Sequence, residues 1–280
     1  MTATKEGMSE GVVESVYARA PLSVRDGIPI FSLENEYTEN YERISHDHLS
    51  VLKQEGRNPF IEEELWLELE NSTVRLIEKY SKAGDTILDV GVGLGRLLSK
   101  FPRLRRYGID ISRGYLKEAQ EKGIEVCYSL IEDMPYKEET FDVIVATDVL
   151  EHVIDLNSSC ARILSVLKKG GLLIVRVPNR EYLGQYLLPE NPYKYVHLRN
   201  FDEDALRILF ERLFDCEWIE VAETGYYLHN SYRLKYRLPR GEETLFKCLG
   251  WLKKRFPERY VKLVRKLAIP LEINVVVRKK

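Results

Sequence analysis

Short runs of apolar residues alternate with segments of helical periodicity from residue 84 onward. Each run is nearly continuous, which is typical of strands buried on both faces of a parallel sheet. The five runs that predict strands in this region are Thr86–Val90, Arg106–Ile109, Glu125–Tyr128, Phe141–Ala146 and Gly171–Val177. Because helical segments separate these runs, the pattern predicts an α/β fold with a doubly wound, mostly parallel sheet.

The segments on either side of this region follow other patterns. Residues 1–60 are irregular, apart from an Asp-Gly pair between apolar runs at Val24–Phe31 that predicts a tight hairpin. Apolar positions at helical spacing predict one helix over Glu62–Tyr80. Beyond Pro178 the predicted elements are a helix at Asp202–Phe214, a strand at Glu217–Ala222, a basic helical stretch at about 231–267 and a strand at Ile273–Val277.

These patterns divide the 280 residues into four predicted regions. An N-terminal extension over 1–60 contains the hairpin and a candidate lid. The core covers 61–230, and its final strand lies in 269–280. The predicted sheet therefore has seven strands. A helical basic insertion over 231–268 separates the last two of these strands.

Composition favours a folded, cytoplasmic protein. Hydrophobic residues make up 44% of the chain and charged residues 31%, which allows a large core and argues against wholesale disorder. No apolar run approaches the length of a membrane-spanning helix, and the N-terminus lacks the pattern of a secretory signal. The four cysteines are scattered without the spacing of a zinc site or a disulfide framework, so we expect no metal site.

Charge is distributed unevenly along the chain. Residues 1–88 carry 9 Lys/Arg against 17 Asp/Glu, whereas residues 233–280 carry 15 against 4. A basic end on an acidic protein suggests an anionic partner, such as a phosphate-bearing substrate, RNA or a membrane surface. The segment that could contact a membrane peripherally is Leu252–Leu267, although Pro257 interrupts it. The alternative is an ordinary solvated helix face.

The segment Leu88–Gly95 reads LDVGVGLG and lies between a predicted strand and a helix. Glycines let the backbone turn sharply and approach a ligand, and the following helix offers free N–H groups. The spacing is D-x-G-x-G-x-G, whereas the dinucleotide-binding spacing G-x-G-x-x-G fails because residue 96 is Arg. The pattern predicts a ligand-binding loop.

Acidic residues follow the next two strands. Asp110 ends the second strand, where a carboxylate can accept both ribose hydroxyl hydrogens of an adenosine; alternatively, Asp110 or Ser112 caps the next helix. Asp133 follows the third strand and can accept from the adenine amine, while a backbone N–H near Met134 donates to a ring nitrogen. This second loop is equally compatible with a plain surface turn.

Four segments in order resemble the successive motifs of class I S-adenosylmethionine (SAM)-dependent methyltransferases: ILDVGVGLGRLL, GIDIS, IEDMPYKEETFDVIVATDVLEHV and LKKGGLLIVRVPN. They look closest to the branch that includes ubiquinone and menaquinone biosynthesis enzymes, methyltransferase type 11. The resemblance covers about residues 62–222 and implies a Rossmann-like fold, SAM as methyl donor and S-adenosylhomocysteine as product.

The resemblance also implies a donor site. Its residues would be Asp89, Gly91, Gly93 and Gly95 at the methionine and ribose, Asp110 at the ribose, Ile111, Asp133 and Met134 at the adenine, and Thr147 to Leu150 beneath the sulfonium. Tyr41 and Tyr37 of the N-terminal extension would close over the donor; otherwise they are packing residues.

Two histidines are candidates for the base that removes a proton from a hydroxyl acceptor. His152 follows the fourth strand, at the sheet edge that carries the site in open α/β folds. In the alternative interpretation, Glu151 and His152 only order this loop. His197 follows the fifth strand, in a segment that often walls the acceptor pocket of such enzymes.

The leading functional hypothesis is methylation of a hydroxyl on a small molecule or on a glycan or lipid-linked intermediate. RNA methylation is the alternative, because aromatic and basic residues interleave in the insertion, although no motif of base-amine methylation follows the fourth strand. The third hypothesis is a SAM-binding subunit without catalysis. The interleaved residues are Tyr226, Tyr227, Tyr232, Arg233, Lys235, Tyr236, Arg237, Arg240 and Trp251.

Overall fold

Nine strands form one sheet in the computed structural model, which describes residues 15–226, 234–235 and 242–280. Their bounds are β1 (Ser23–Arg25), β2 (Ile28–Ile30), β3 (Thr86–Val90), β4 (Arg105–Asp110), β5 (Glu125–Tyr128), β6 (Phe141–Thr147), β7 (Leu167–Pro178), β8 (Glu217–Thr224) and β9 (Glu272–Arg278). The spatial order is β1-β2-β5-β4-β3-β6-β7-β9-β8. The five strands from β5 to β7 are mutually parallel, and β9 runs antiparallel between β7 and β8.

The predicted α/β fold with a mostly parallel sheet is confirmed, but the predicted count of seven strands was wrong by two. The additional strands belong to the Asp-Gly hairpin, whose turn residues Asp26 and Gly27 both have positive φ, at 52° and 77°. Strand β2 joins the sheet beside β5 through the pair Ile30 and Tyr128, and the Phe31 N–H donates to the Tyr128 carbonyl over 2.9 Å. The hairpin was predicted, but its pairing with β5 was not, because an apolar pattern does not indicate which strand lies next to another.

The described part of the chain contains eight α-helices, five of which pack on the sheet. Their bounds are α1 (Glu36–Glu55), α2 (Glu63–Tyr80), α3 (Arg96–Ser99), α4 (Arg113–Glu121), α5 (Leu156–Val166), α6 (Glu203–Arg207), α7 (Glu242–Arg255) and α8 (Pro257–Leu267), with a 3₁₀ turn at Leu183–Leu187 and a π-helical turn at Ile208–Leu213. Helices α2, α3 and α4 bury apolar side chains on one face of the sheet, and α5 and α6 do so on the other. This double covering explains the continuous apolar runs of the central strands.

Helix α1 contradicts the prediction that residues 1–60 are irregular. Asn35 begins it with a capping box, in which the Thr38 N–H donates to the Asn35 side chain and the Asn35 N–H donates to the Thr38 hydroxyl. Its buried side is polar and consists of Thr38, Asn40, Ser45 and His48. Its apolar residues Tyr37, Tyr41 and Ile44 recur at helical spacing, but the four polar residues at its buried positions weaken the hydrophobic signal.

The described part of the basic insertion consists of two helices, α7 and α8, and of Leu234 and Lys235, where Leu234 forms an isolated β-bridge with Ala268. Pro257 occupies the first turn of α8 and separates it from α7, as its position in the sequence predicts. A small apolar cluster of Leu234, Leu249, Val264 and Ala268 holds the two helices together. Of the interleaved aromatic and basic residues, Tyr227, Tyr232, Arg233, Tyr236, Arg237 and Arg240 lie outside the described residues. Among the helices that are described, none is both long and apolar enough to cross a membrane.

Candidate active site

The carboxyl ends of the parallel strands open onto one cavity of about 1120 Å³. One end of the cavity is formed by the glycine loop after β3 and by the end of β4, and the other by the loop after β6 and the segment around residue 197. Helix α1 closes one side with Tyr37 and Tyr41. The predicted donor and acceptor regions therefore belong to the same space, as expected for the carboxyl edge of a parallel sheet.

The glycine loop combines a tight turn with close packing. A Cβ atom on Gly91 would lie 2.5 Å from Val149 Cγ2, and the φ of Gly91 is 75°. Gly93 lines the cavity, and its N–H donates to Asp110 Oδ2 over 2.9 Å. Gly95 does not line the cavity; a Cβ there would lie 2.9 Å from Ala119 of α4, so packing explains this third glycine.

Asp110 is fixed at the end of β4 by two backbone donors. Besides the bond from Gly93, the Ser112 N–H donates to Asp110 Oδ1 over 2.9 Å. Burial raises the pKa of Asp110 to about 6, although the two backbone hydrogen bonds oppose this shift. Ser112 caps α4 by accepting from the Tyr115 N–H. Asp110 itself faces the cavity beside Ile111, so of the two residues proposed as the helix cap, the structure uses Ser112.

Asp89 has a buried carboxylate oxygen without a partner. Asp89 lines a smaller cavity of about 180 Å³, together with Gly91, Gly93 and Thr147. No hydrogen bond reaches Asp89 Oδ1 from the described residues, and burial, followed by the charge of Asp110, raises the pKa of Asp89. A buried carboxylate is costly unless a donor satisfies it. The ammonium group of a bound amino acid moiety would supply that donor, which fits the methionine part of SAM.

The acidic loop after β5 differs from its predicted role. Asp133 forms an ion pair with Arg19 at 2.6 Å and accepts a hydrogen bond from Ser32 over 2.8 Å, so its carboxylate is occupied outside the cavity. The Met134 side chain is 2% exposed in the core, and its N–H donates to the Ile131 carbonyl. Neither residue lines the cavity. The residues of this loop that do are Ser129, Leu130, Ile131 and Glu132.

The two candidate histidines meet at the far end of the cavity. The rings of His152 and His197 have centroids 4.5 Å apart in an edge-to-face arrangement. His152 Nδ1 lies 2.9 Å from the Tyr41 hydroxyl. His197 Nδ1 lies 2.5 Å from Glu181 Oε2, and the Tyr186 hydroxyl lies 3.1 Å from the same nitrogen. Sequence reasoning missed Glu181 and Tyr186, since neither belongs to a recognisable motif.

Burial dominates the electrostatics at this end. It lowers the pKa of His152 to about 3, with the nearby His197 acting in the same direction, while Asp148 and the Val196 carbonyl oppose the shift. His152 is therefore neutral at physiological pH. Glu151 beside it is 1% exposed, and burial raises its pKa well above the usual range.

Arg176 of β7 balances part of the acidic charge near the histidines. It pairs with Asp148 and, at 2.6 Å, with Glu272. Burial and the charge of Asp148 still raise the pKa of Glu272 to about 8. Asp148 holds this position with a positive φ of 57°, which is strained for a residue other than glycine.

A cavity large enough for an adenosyl group, a glycine loop and a fixed carboxylate at the end of β4 are typical of proteins that bind a nucleoside-containing cofactor at the carboxyl edge of an α/β sheet. A family model described as "Methyltransferase domain" matches residues 88–175. The chain therefore contains a class I SAM-dependent methyltransferase domain, which confirms the family and the donor that the motifs imply.

Several known methyltransferases are similar to this chain. The ubiquinone biosynthesis O-methyltransferase of Bradyrhizobium sp. (strain ORS 278) is 34% identical over 127 residues, which are 41% of this chain and 50% of that protein. The phosphoethanolamine N-methyltransferase 2 of Caenorhabditis elegans is 29% identical over 124 residues, 40% of this chain and 28% of that protein. The chain thus spans about half or less of the length of these relatives.

Solved structures share the fold. A SAM-dependent methyltransferase from Thermotoga maritima superposes with a TM-score of 0.56 at 19% identity, over 86% of this chain and 99% of that one. The Haemonchus contortus phosphoethanolamine N-methyltransferase 2, in complex with phosphomonomethylethanolamine and S-adenosylhomocysteine, gives 0.55 at 16% identity, over 88% of this chain and 60% of that one.

Proposed function

We propose that this protein transfers the methyl group of SAM to a hydroxyl of a small molecule or of a glycan or lipid-linked intermediate. One observation carries the proposal: the glycine loop and Asp110 share a continuous cavity with the paired imidazoles of His152 and His197. A donor site alone requires no histidines. A hydroxyl acceptor does require a group that assists loss of its proton.

The donor would lie along the glycine loop. Asp110 would accept from the ribose hydroxyls, with its orientation set by the two backbone N–H donors, and Asp89 would receive the ammonium group. Ile111 and Ile131 would contact the adenine, and Glu132 of the same loop would replace Asp133 as the polar group near its edge. When bound, SAM supplies a methyl group on a positively charged sulfur, which is already a good leaving group.

The acceptor would lie between the sulfur and the two histidines. The low pKa of His152 keeps it neutral but makes it a weak base, so its main role would be to position the acceptor. His197 is held through Nδ1 by Glu181, which leaves its other nitrogen for the acceptor proton. A carboxylate in this position holds the imidazole in the orientation that proton transfer from an acceptor needs.

The printed names of the relatives include an O-methyltransferase and an N-methyltransferase, so the acceptor atom needs a direct test. Purified protein would be incubated with methyl-labelled SAM and a panel of catechols, glycans, polyprenyl-linked sugars and phosphoethanolamine. We expect label in a hydroxyl-bearing acceptor, and loss of that transfer in the variant H197A with SAM binding retained. Label found only in amines would overturn the hydroxyl assignment.

RNA remains the second candidate because the described helices α7 and α8 are basic, with Lys253, Lys254 and Arg255 ending α7. The same assay with total RNA as acceptor tests it, since an RNA acceptor would give nuclease-sensitive label and salt-sensitive retention. Tight SAM binding without transfer to any acceptor would instead favour the non-catalytic subunit.

A further inference from the structure

The insertion between β8 and β9 begins and ends at the edge of the sheet that carries the cavity. Thr224, the last residue of β8, pairs with Glu272, the first residue of β9. Glu272 also pairs with Pro178 at the carboxyl end of β7, and it lines the cavity together with Leu271. Helices α7 and α8 are therefore anchored beside the cavity, in a part of the chain that the matched family model, which ends at residue 175, does not cover.

One side of this helical pair leaves large apolar side chains in solvent. Trp251 of α7 is 62% exposed, and Phe256, at the turn between the two helices, is 38% exposed. Their rings contact each other, with centroids 5.9 Å apart. Leu263 is also exposed and follows Phe256 at the spacing that places both on the same side of α8. We call these three residues the hairpin patch.

Cations surround the hairpin patch. The guanidinium carbons of Arg255 and Arg259 lie 5.8 Å and 5.3 Å from the centroid of the Phe256 ring. Residues 247–266 carry 8 Lys/Arg against 1 Asp/Glu. Within the part of the chain that the structure describes, no ion pair is formed by five of these cations, Lys254, Arg255, Arg259, Lys262 and Lys266. The protein therefore does not neutralise the positive charge around the patch.

This combination of groups favours the surface of an anionic bilayer as the partner. Trp residues concentrate at membrane interfaces, where one part of the ring system is in an apolar environment and the N–H group is hydrated. Anionic headgroups attract nearby Lys and Arg side chains, and apolar side chains beside such cations enter the boundary between headgroups and acyl chains. RNA could stack on Trp251 and Phe256, but it offers no apolar partner to Leu263.

We propose that the hairpin patch docks this protein on membrane surfaces that contain anionic phospholipids. Trp251 and Phe256 enter the headgroup layer, while Arg255, Arg259 and Lys266 contact lipid phosphates. The contact is reversible, because only a few apolar side chains leave water. The inference goes beyond the proposed function, since it holds whichever acceptor is methylated.

Vesicle flotation tests the patch without an activity assay. The full chain would be mixed with vesicles of phosphatidylcholine alone, or of phosphatidylcholine with phosphatidylglycerol, at about 0.1 M salt. We expect the protein to float only with the vesicles that contain phosphatidylglycerol. Raising the salt to about 1 M should release most of the protein, because it shortens the range of the electrostatic attraction to about 3 Å.

Two variants assign the binding to the hairpin patch. Each Lys or Arg near an anionic surface contributes a factor of about five in affinity, so R259Q/K266Q should bind about 25-fold more weakly. W251A removes the most exposed ring of the patch and should weaken binding by about tenfold. K117Q/K169Q is the matched control, because it removes the same charge at exposed positions of α4 and β7. Its binding should match that of the unmodified protein.

Each variant would be checked for its unfolding transition, and K254Q/R255Q would replace R259Q/K266Q if the latter is unfolded. Failure of the unmodified protein to float with the anionic vesicles would overturn the proposal. Equal weakening in K117Q/K169Q would do the same, since it would show a response to net charge alone. Retention on poly(U) RNA that anionic vesicles cannot compete away would assign the surface to RNA and would also overturn membrane docking.

Discussion

Replacement of Asp110 by Asn tests the donor site most directly. The carboxylate accepts the N–H groups of Gly93 and Ser112, both over 2.9 Å, and presents its remaining lone pairs to the cavity. An amide has only one oxygen, so in D110N its NH₂ group must face either a backbone N–H or the ribose hydroxyls. The variant keeps the size of the side chain and removes its charge.

Hydrogen bonds to charged groups contribute about 1.5–3 kcal/mol each, and every 1.4 kcal/mol corresponds to a factor of about ten in affinity. The loss of one such interaction with the ribose should therefore weaken SAM binding by about 10- to 100-fold. Isothermal titration calorimetry with SAM measures this change. D215N is the control, because Asp215 is an exposed aspartate whose side chain is 81% accessible and lies outside the cavity.

The pH dependence supplies a second readout from the same variant. Because burial raises the pKa of Asp110 to about 6, the carboxylate gains a proton as the pH falls through that value, and its capacity to accept hydrogen bonds declines. SAM affinity should decrease between pH 7 and pH 5, and D110N should flatten this part of the profile. Asp89 remains in D110N, where loss of the Asp110 charge lowers the pKa of Asp89 and moves any contribution from that residue to lower pH. SAM binding by D110N within twofold of the unmodified protein would refute the role assigned to this residue.

Three further substitutions have defined outcomes. G91A places a Cβ 2.5 Å from Val149 at a φ of 75°, so we expect the free energy of unfolding, measured in urea, to fall by about 1–3 kcal/mol. G250A is the control, because a Cβ on Gly250 meets nothing within 4 Å and the variant should lose no stability. H197A should lower the transfer rate by about 10²- to 10⁴-fold with an unchanged Kd for SAM; an unchanged rate would exclude His197 from the chemistry. N35A removes the side-chain cap of α1 and should lower the free energy of unfolding by about 0.5–2 kcal/mol, seen as a lower urea midpoint. An unaltered midpoint would show that the cap does not contribute to stability.

The parallel sheet and the glycine loop were predictable because their signals are local. A continuous apolar run fixes a strand buried on two faces, and the spacing from Asp89 to Gly95 fixes the loop that follows it. Asp110 was predictable for the same reason, since it immediately ends a strand. The order of these pieces along the chain then identified the family.

The remaining features depend on contacts between distant residues. The ion pair of Asp133 with Arg19 spans 114 positions, and nothing in the loop sequence distinguishes Asp133 from its neighbour Glu132. The contact between His197 and Glu181 is equally invisible, because the intervening segment has no regular periodicity. Helix α1 was missed because the residues at its buried positions are polar, which weakens the hydrophobic signal in that segment.

The hydrogen bonds that hold α1 in place affect access to the cavity. Ser45 bonds to Ser112 over 2.6 Å, His48 to Tyr115 over 2.6 Å, and Asn40 to the Tyr195 carbonyl over 2.8 Å. Water can replace each of these hydrogen bonds when the helix undocks, which limits the free energy that their loss costs. We therefore expect the wall that carries Tyr37 and Tyr41 to open more readily than the sheet beneath it, which would let donor and product exchange on that side of the cavity.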